Sequence, residues 1–552
     1  MARRPSLTFE IAAYIAIALL GLILRFGNLG LLPLNAGEAA AALPAFTISQ
    51  GGDAAIGVQP AYTLLTSFLF SVVPSSEFLA RVWPALAGCL LVLLPYAWRD
   101  VLGRKVTVVL ALGLALDPGL VALSRLASGH MLAVTGLLAG LTVWRRGRSA
   151  LAGGLLALGA LAAPTFFIGL IATLCVWAFL VRTPLVGAHA RRAALAAAAV
   201  LVLGSTLFLK VPAGLGSVAA PLIGFLQGWA QPSGESLFKL LFALLGYGLP
   251  IVIFGIWGAV HAWLHKNTAG QLLSVFALIS LATLLLYPGR QVADMLWVVL
   301  PLWALSAQVI GRHLSVPEEE PRAAMGEAAL MLVLFAFLTF SLARIASNDF
   351  LLETPSFYFY VTGGVLLLGV LVTVLIGLGW SGKAAVHGLV WALSLSFALF
   401  MLSAATRPAN AAALRAAELW APGPAAGQLD LLRATLNNLS ERNAGVPAAL
   451  SVETRVQSAE LAWLLRELPP VTGSGAPLII TAADEAEPAE ASAYHGQSFV
   501  WTSGPAWEHV PPNPLGWLLY RQAPETRQHI ILWAASHLLP QDVAANSSGE
   551  NR

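Results

Sequence analysis

Cysteine is nearly absent. Only Cys89 and Cys175 occur in 552 residues, both inside apolar runs, so neither a disulfide framework nor a CxxC metal motif can be drawn. Charge is scarce as well. Asp, Glu, Lys and Arg together make up 11% of the chain, against about 25% in a soluble domain. There is no Lys/Arg-rich run, and the net charge of +3 is small for this length, so no nucleic-acid partner is indicated. No cleavable leader is expected either: the apolar run behind Arg3 and Arg4 is long, and Ala-Leu-Pro-Ala-Phe after it is a poor cleavage site. Ile11–Leu24 therefore reads as an uncleaved first helix. No convincing internal repeat is present.

What the chain has in quantity is apolar length. Hydrophobic residues make up 58% of it, the mean hydropathy is +0.76, and runs of about 17–25 apolar residues suffice to cross a bilayer core. Such runs lie near 8–26, 80–98, 106–123, 130–144, 150–163, 165–181, 193–211, 239–260, 271–287, 292–311, 325–345, 358–379 and 384–404. The expectation is a polytopic α-helical membrane protein with about 13 transmembrane helices. Pro60–Val73 is too short to span and reads as an interfacial helix. Basic residues gather in alternate loops, as at Arg99, Arg104 and Lys105, then Arg145, Arg146 and Arg148. The positive-inside rule puts the N-terminus in the cytoplasm, the loop 27–79 outside and, with an odd span count, the C-terminus outside. The expected place is the cytoplasmic (inner) membrane of a bacterium, a source suggested by heavy Ala, Gly, Leu and Arg-over-Lys usage.

After Thr406 the composition changes, with Asp, Glu, Pro, Asn and Ser enriched. Residues 1–406 read as the membrane domain and 407–540 as a small extracytoplasmic α/β domain. Its expected elements are a helix at Glu460–Leu468, strands at Pro477–Ala482 and Ser498–Thr502, and a helix or strand-plus-helix at Thr526–Leu538. Residues 541–552 read as a disordered tail.

The polar residues that interrupt the apolar pattern fall at outer helix ends. They form four stretches: Leu32–Ala39, which holds Glu38; Val58–Tyr62 with Ala80–Gly88 behind it; Leu116–His130; and Tyr287–Gln291. A carboxylate at the mouth of a membrane bundle is costly unless something pairs with it. In order, these stretches resemble the GT-C superfamily of membrane glycosyltransferases, and within it the protein-mannosyltransferase and aminoarabinose-transferase group, glycosyltransferase family 39. The matching residues are Leu24-Arg25, Pro33-Leu34, Gly37-Glu38-Ala39, Gln59-Pro60-Ala61-Tyr62, Arg81 through Gly88, and Ser124-Arg125. The match is detailed over roughly residues 10–150. It departs from the family twice: the paired acid has lost its first Asp to Gly37, and the PPLYY-like segment has Gln59 for its first Pro.

The resemblance implies a GT-C-like fold and transfer of a sugar from a polyprenyl-phosphate donor to an acceptor on the outer face of the membrane. Such a transfer needs a carboxylate within hydrogen-bond reach of the acceptor hydroxyl and cations for the departing phosphate, a task that suits Arg. Glu38 is the candidate base, and Arg81, Arg125 and Arg290 the candidate phosphate ligands. Gln59, Tyr62 and His130 are candidate substrate-site residues. Each has a plainer reading: Glu38 as a helix N-terminal acid, Arg125 as a snorkelling cation, Tyr62 and His130 as packing or interface residues. Asp117 finds no second metal ligand at useful spacing; no cofactor is assigned, and a divalent metal stays open. The alternative function is a non-catalytic GT-C-fold scaffold of an envelope assembly. An ion-coupled transporter fits poorly, because the middle spans carry almost no acid or base at midplane depth. The partners expected are the donor, the bilayer and an acceptor of unknown kind.

Overall fold

Caps and prolines set the helix boundaries. Asn35, Ser76 and Asp117 each accept a backbone N–H in the first turn of the helix that follows, and Pro60 and Pro118 occupy first positions, where a missing N–H costs nothing. The computed structural model describes residues 9–181, 188–315, 317, 320–347, 355–407, 418–420, 424–469, 471, 476–485 and 493–539. The tail expected at 541–552 lies outside them.

The first part of the chain folds as α1 (Phe9–Phe26), α2 (Ala36–Ser49), α3 (Pro60–Val72), α4 (Glu77–Leu93), α5 (Arg99–Leu102), α6 (Arg104–Leu116) and α7 (Pro118–Ser124). Then come α8 (His130–Arg145), α9 (Ser149–Ala162), α10 (Thr165–Val176), α11 (Ala188–Ser205) and α12 (Ala220–Gln227). The long helices α13 (Leu237–Leu264), α14 (Thr268–Leu286), α15 (Leu296–His313), α16 (Pro321–Ala346), α17 (Pro355–Gly379) and α18 (Gly382–Thr406) complete the bundle. Among the described residues, eight helices are long and apolar enough to cross a membrane, or nine if α6 and α7, bent by 58° at their junction, count as one span. This is fewer than the thirteen expected. α8, α9 and α10 are too short for the criterion, and α11 carries Arg191 and Arg192 near its start. The α15 segment is the axis of the bundle, with 89% of its apolar window buried, whereas α17 has 6% and lies at the edge. The short α3 is buried along much of its length.

The C-terminal part is a five-stranded sheet, ordered β1-β4-β5-β3-β2. Its strands are β1 (Ala425–Ala426), β2 (Val452–Thr454), β3 (Leu478–Ala482), β4 (Tyr494–Pro505) and β5 (Glu525–Ala535). β2 and β3 run parallel and the other pairs antiparallel. Leu478, Ile480, Ile530, Leu532 and Ala534 alternate onto one face, as the two-residue period requires. That face is covered by Leu429, Leu432 and Leu436 of α19 (Leu429–Ala444) and by Leu461 and Leu464 of α20 (Ala459–Leu465). The last helix is α21 (Pro514–Tyr520). The expected helix-or-strand at 526–538 is strand β5 followed by one 3-10 turn.

This domain sits on the loop side of α2–α4. Trp463 of α20 is buried against Phe46 of α2 and Phe70 of α3, with ring centroids 6.4 and 5.9 Å away. Its indole N–H donates to Glu77 Oε1 at 3.2 Å, and Arg433 of α19 donates to the same oxygen at 2.6 Å.

Candidate active site

Asn35 and Glu38 form a capping box on α2. Asn35 Oδ1 accepts the Glu38 backbone N–H at 3.0 Å, and Glu38 Oε2 accepts that of Asn35 at 3.2 Å. From α4, Arg81 closes a fork on the same carboxylate: its Nε reaches Glu38 Oε1 and its Nη2 reaches Oε2, each at 2.7 Å. The remaining Arg81 hydrogens go to loop carbonyls, at 3.1 Å to Leu29, 2.8 Å to Leu32 and 3.2 Å to Pro33. A guanidinium has five N–H groups, and here all five are spent. Glu38 Oε1 also accepts the Ala127 N–H at 2.8 Å. A carboxylate offers about four lone-pair sites, so Glu38, 4% exposed, is filled as well. As placed, this pair shapes the loop 27–38 and pins it to the 125–130 turn. Neither partner has an open position for a substrate.

Arg125 sits where α1 ends. A helix leaves its last carbonyls unpaired, and Arg125 Nη1 donates to those of Leu24, Arg25 and Gly27 at 3.1, 3.1 and 2.7 Å, with Nη2 3.3 Å from Asn28 O. Its Nε and one Nη2 hydrogen make no bond among the described residues. Burial, with Arg81 nearby, pulls the guanidinium down to about 10, still charged at neutral pH. Its only near anion, Glu38, is committed to Arg81, so Arg125 is a desolvated cation that an incoming anion would stabilise. Arg25 does for α6 what Arg125 does for α1, donating to Leu114 O at 3.0 Å and Ala115 O at 3.4 Å.

Glu38, Arg81 and Arg125 line one cavity of about 260 Å³. Its walls also include Pro118 and Ala122 of α7, Tyr247 of α13, Ala404 of α18, then Arg407, Glu418, Trp420 and the strand residues Ala425 and Ala426. With Glu38 cancelling Arg81, Arg125 and Arg407 face a single remaining acid, Glu418. That acid has a cation of its own, Arg521 Nε at 3.6 Å from Glu418 Oε1. Arg407, half-buried, has no ion pair or hydrogen bond among the described residues. The balance favours an anionic ligand. No group of three His, Cys, Asp or Glu side chains among the described residues is placed to hold a metal ion.

The other sequence candidates fall outside this cavity. Tyr62 is fully buried on α3, its hydroxyl donating to Ala80 O at 2.9 Å just before Arg81, and burial pushes its phenol well above the ordinary value. It supports the turn that aims Arg81. Gln59 Oε1 accepts the Gly129 N–H at 2.7 Å, and His130 lies between Ser128 Oγ at 3.0 Å and Gln291 Oε1 at 2.8 Å. These residues brace the far side of the 125–130 turn. Arg290 keeps its Nε on Tyr287 O at 3.3 Å and is not brought to Arg125. The turn leaves no room at Gly129, where a Cβ would overlap the backbone carbonyl of Ala162. Gly129→Ala is therefore expected to displace Ala127 from Glu38 and lower the melting temperature by several degrees, measured by thermal unfolding in detergent.

Arg407, Tyr247 and Glu418 were not among the sequence candidates. Arg407 lies three residues past the last apolar run, 384–404, and read as the start of a new domain. Tyr247 sits within an apolar run, and nothing local ties it to Glu418, which accepts its hydroxyl.

The chain resembles in fold the crystal structure of ArnT from Cupriavidus metallidurans bound to undecaprenyl phosphate. The TM-score is 0.54 at 14% identity, over 97% of this chain and 100% of that one. Against the same protein in the apo state the TM-score is 0.50 at 15% identity, over 83% and 84% of the two chains. No family model and no curated protein sequence matches the chain. At this identity the likeness speaks for the fold alone: a polytopic helical membrane protein, ArnT-like in architecture, with a C-terminal sheet domain.

Proposed function

We propose that this protein is a membrane glycosyltransferase that takes a sugar from a polyprenyl-phosphate donor on the outer leaflet of the cytoplasmic membrane, in the manner of glycosyltransferase family 39. The observation that carries this reading is a second, apolar cavity of about 500 Å³ lined by the same helices as the first, further along them. Leu116 of α6 precedes Pro118, Pro250 and Ile251 of α13 follow Tyr247, and Met401 and Ala398 of α18 lead down from Ala404 to Trp391. At 1.5 Å per residue, α18 carries this wall about 20 Å, much of a hydrocarbon core of about 30 Å. A cation-lined chamber with a long apolar one next along the same helices suits an amphiphile with a phosphate head and an isoprenoid tail. The undecaprenyl phosphate bound by ArnT has that chemistry.

The test is binding of undecaprenyl phosphate to the purified full chain, followed by tryptophan fluorescence. Arg407→Ala removes a cation that makes no ion pair or hydrogen bond among the described residues. It is expected to weaken binding about 10- to 100-fold, the worth of a charge-assisted hydrogen bond, with the melt of the free protein unchanged. Absence of binding by the wild-type chain, or equal binding by the variant, would sink the reading.

One observation favours the alternative of a non-catalytic scaffold. The loop acid that remains, Glu38, is fully engaged by Arg81, Asn35 and Ala127, and its neighbour is Gly37. On that reading undecaprenyl phosphate would bind, and no undecaprenyl-phosphate sugar would be turned over.

A further inference from the structure

The bundle has a second cationic pole, at the end away from the sheet domain. α13 runs from Tyr247 at the polar cavity to His261 and the following His265, and α18 runs from Lys383 and His387 to Ala404 at the same cavity. Between those far ends α15 finishes at Arg312 and His313. The three ends meet. The rings of His313 and His387 have centres 4.8 Å apart, those of His261 and His265 stack at 3.8 Å, and His261 is within electrostatic reach of Arg312, His265 and His313. Elsewhere at this end of the bundle the cations are matched by acids. Arg145 forks onto Asp100 at 2.8 and 2.6 Å, and Arg99 and Arg104 each stand 3.8 Å from Glu10. Among the described residues no acid is paired with Arg312, Lys266, Lys383 or any of these four histidines. Glu327, the acid within the neighbouring α16, is turned to Thr373 of α17, whose hydroxyl donates to it at 2.6 Å.

The cluster is open to a ligand. Arg312, His265, Lys266 and Lys383 are exposed, and His261, His313 and His387 are half-buried. Ile256, Val260 and Leu264, one turn apart on α13, form an exposed apolar stripe that ends beside it. Trp257 has its ring centre 5.7 Å from that of His313, and Trp391 Nε1 donates to His313 O at 2.5 Å. Tryptophan favours the boundary between bilayer and water, so the cluster sits at headgroup level. We propose that it binds the phosphate headgroup of an anionic phospholipid, with the acyl chains laid along the α13 stripe.

Hydrogen bonding sets how this site responds to acid. Nδ1 of His265, His313 and His387 lies 3.0, 2.8 and 2.7 Å from the carbonyls of His261, Val309 and Lys383. A carbonyl only accepts, so each Nδ1 carries a hydrogen, and each neutral ring keeps a bare lone pair on Nε2. A lone pair repels a phosphate oxygen, whereas a second proton makes Nε2 a charged donor. The groups facing these rings are cations and other imidazoles: Arg312, His265 and His313 around His261, and His387 and Arg312 around His313. α6 packs at Gly311 through Val106, with Lys105 beside it. Arg312, Lys266 and Lys383 therefore hold the lipid at neutral pH, and it binds tighter as the histidines take up protons.

The competing account has these cations do no more than offset the carboxyl-end dipoles of α13 and α15. Titration of the full chain in detergent with dihexanoyl phosphatidylglycerol, dihexanoyl phosphatidylcholine and inorganic phosphate separates the two, read by tryptophan fluorescence and by the melting temperature. Phosphatidylglycerol is expected to bind at least about tenfold tighter than either other ligand, and several-fold tighter at about pH 5.5 than at about pH 8. Arg312→Ala should weaken it about fivefold, the worth of one cation at a membrane surface. Arg146→Ala, at the end of α8, and Arg407→Ala, at the polar cavity, should leave it within about twofold. His313→Gln with His387→Gln should keep the binding at pH 8 and flatten its rise in acid. Equal binding of the two lipids would overturn the proposal, and so would inorganic phosphate binding as tightly as phosphatidylglycerol. Cluster variants that melt lower with unchanged affinity would leave the dipole account in its place. Binding seen only after Glu318→Gln with Glu319→Gln would give the cluster to the chain's own acids and overturn the proposal too.

Discussion

Glu38→Ala is expected to unfold the protein rather than merely silence it. The substitution leaves Arg81, 5% exposed, as a buried guanidinium with no counter-charge, and removes acceptors from Asn35 and Ala127. Breaking a buried ion pair on one side costs about 3–5 kcal/mol, a large part of a typical folding free energy. The effect should appear as a lower melting temperature and a poor monodisperse yield. Removing both charges, as in Glu38→Leu with Arg81→Met, should recover part of the loss, because the orphaned cation goes too. Glu38→Gln is the sharper comparison. If it melts with the wild type yet abolishes turnover, Glu38 is the base after all and the anchoring role is wrong.

The second large effect is expected at the domain junction. Trp463→Ala removes a side chain that is 1% exposed between Phe46 and Phe70. Arg466 stacks on its indole, with the guanidinium carbon 3.9 Å from the ring centre. Truncating a buried Trp costs about 3–5 kcal/mol, here charged mainly to docking the sheet domain on α2–α4. Limited proteolysis should then cut between the bundle and the sheet much faster than in wild type. The polar cavity, which borrows Ala425 and Ala426 as part of its wall, should lose affinity for undecaprenyl phosphate in parallel. Unchanged proteolysis would mean that Arg433 and Glu77 hold the domain unaided.

Much of this was legible in the sequence. The apolar runs gave helix positions to within a few residues, and the order of Glu38, Arg81 and Arg125 among outer helix ends drew attention to three side chains that do meet at one cavity. Their partners were not legible. Arg81 and Arg125 spend most of their hydrogens on carbonyls of Leu29, Leu32, Leu24 and Gly27, and a carbonyl has no residue signature. The signal for α19 was present and went unread: Leu429, Leu432 and Leu436 keep helical spacing, and Gly445 ends the helix with φ 78° in the left-handed region. The apolar runs expected as spans at 130–144, 150–163 and 165–181 are the helices α8, α9 and α10, shorter than α13 to α18 and packed within the bundle. Glu418 lay beyond reach because its partner, Tyr247 of α13, stands 171 residues earlier in the chain.

The side-chain hydrogen bonds that shape the first loop run through Glu38, Arg81 and Arg125, and none of them through the solvent-facing residue at 37. Position 37 is therefore free to vary where position 38 is not. A side chain introduced there would meet solvent and leave the anchoring carboxylate where it is.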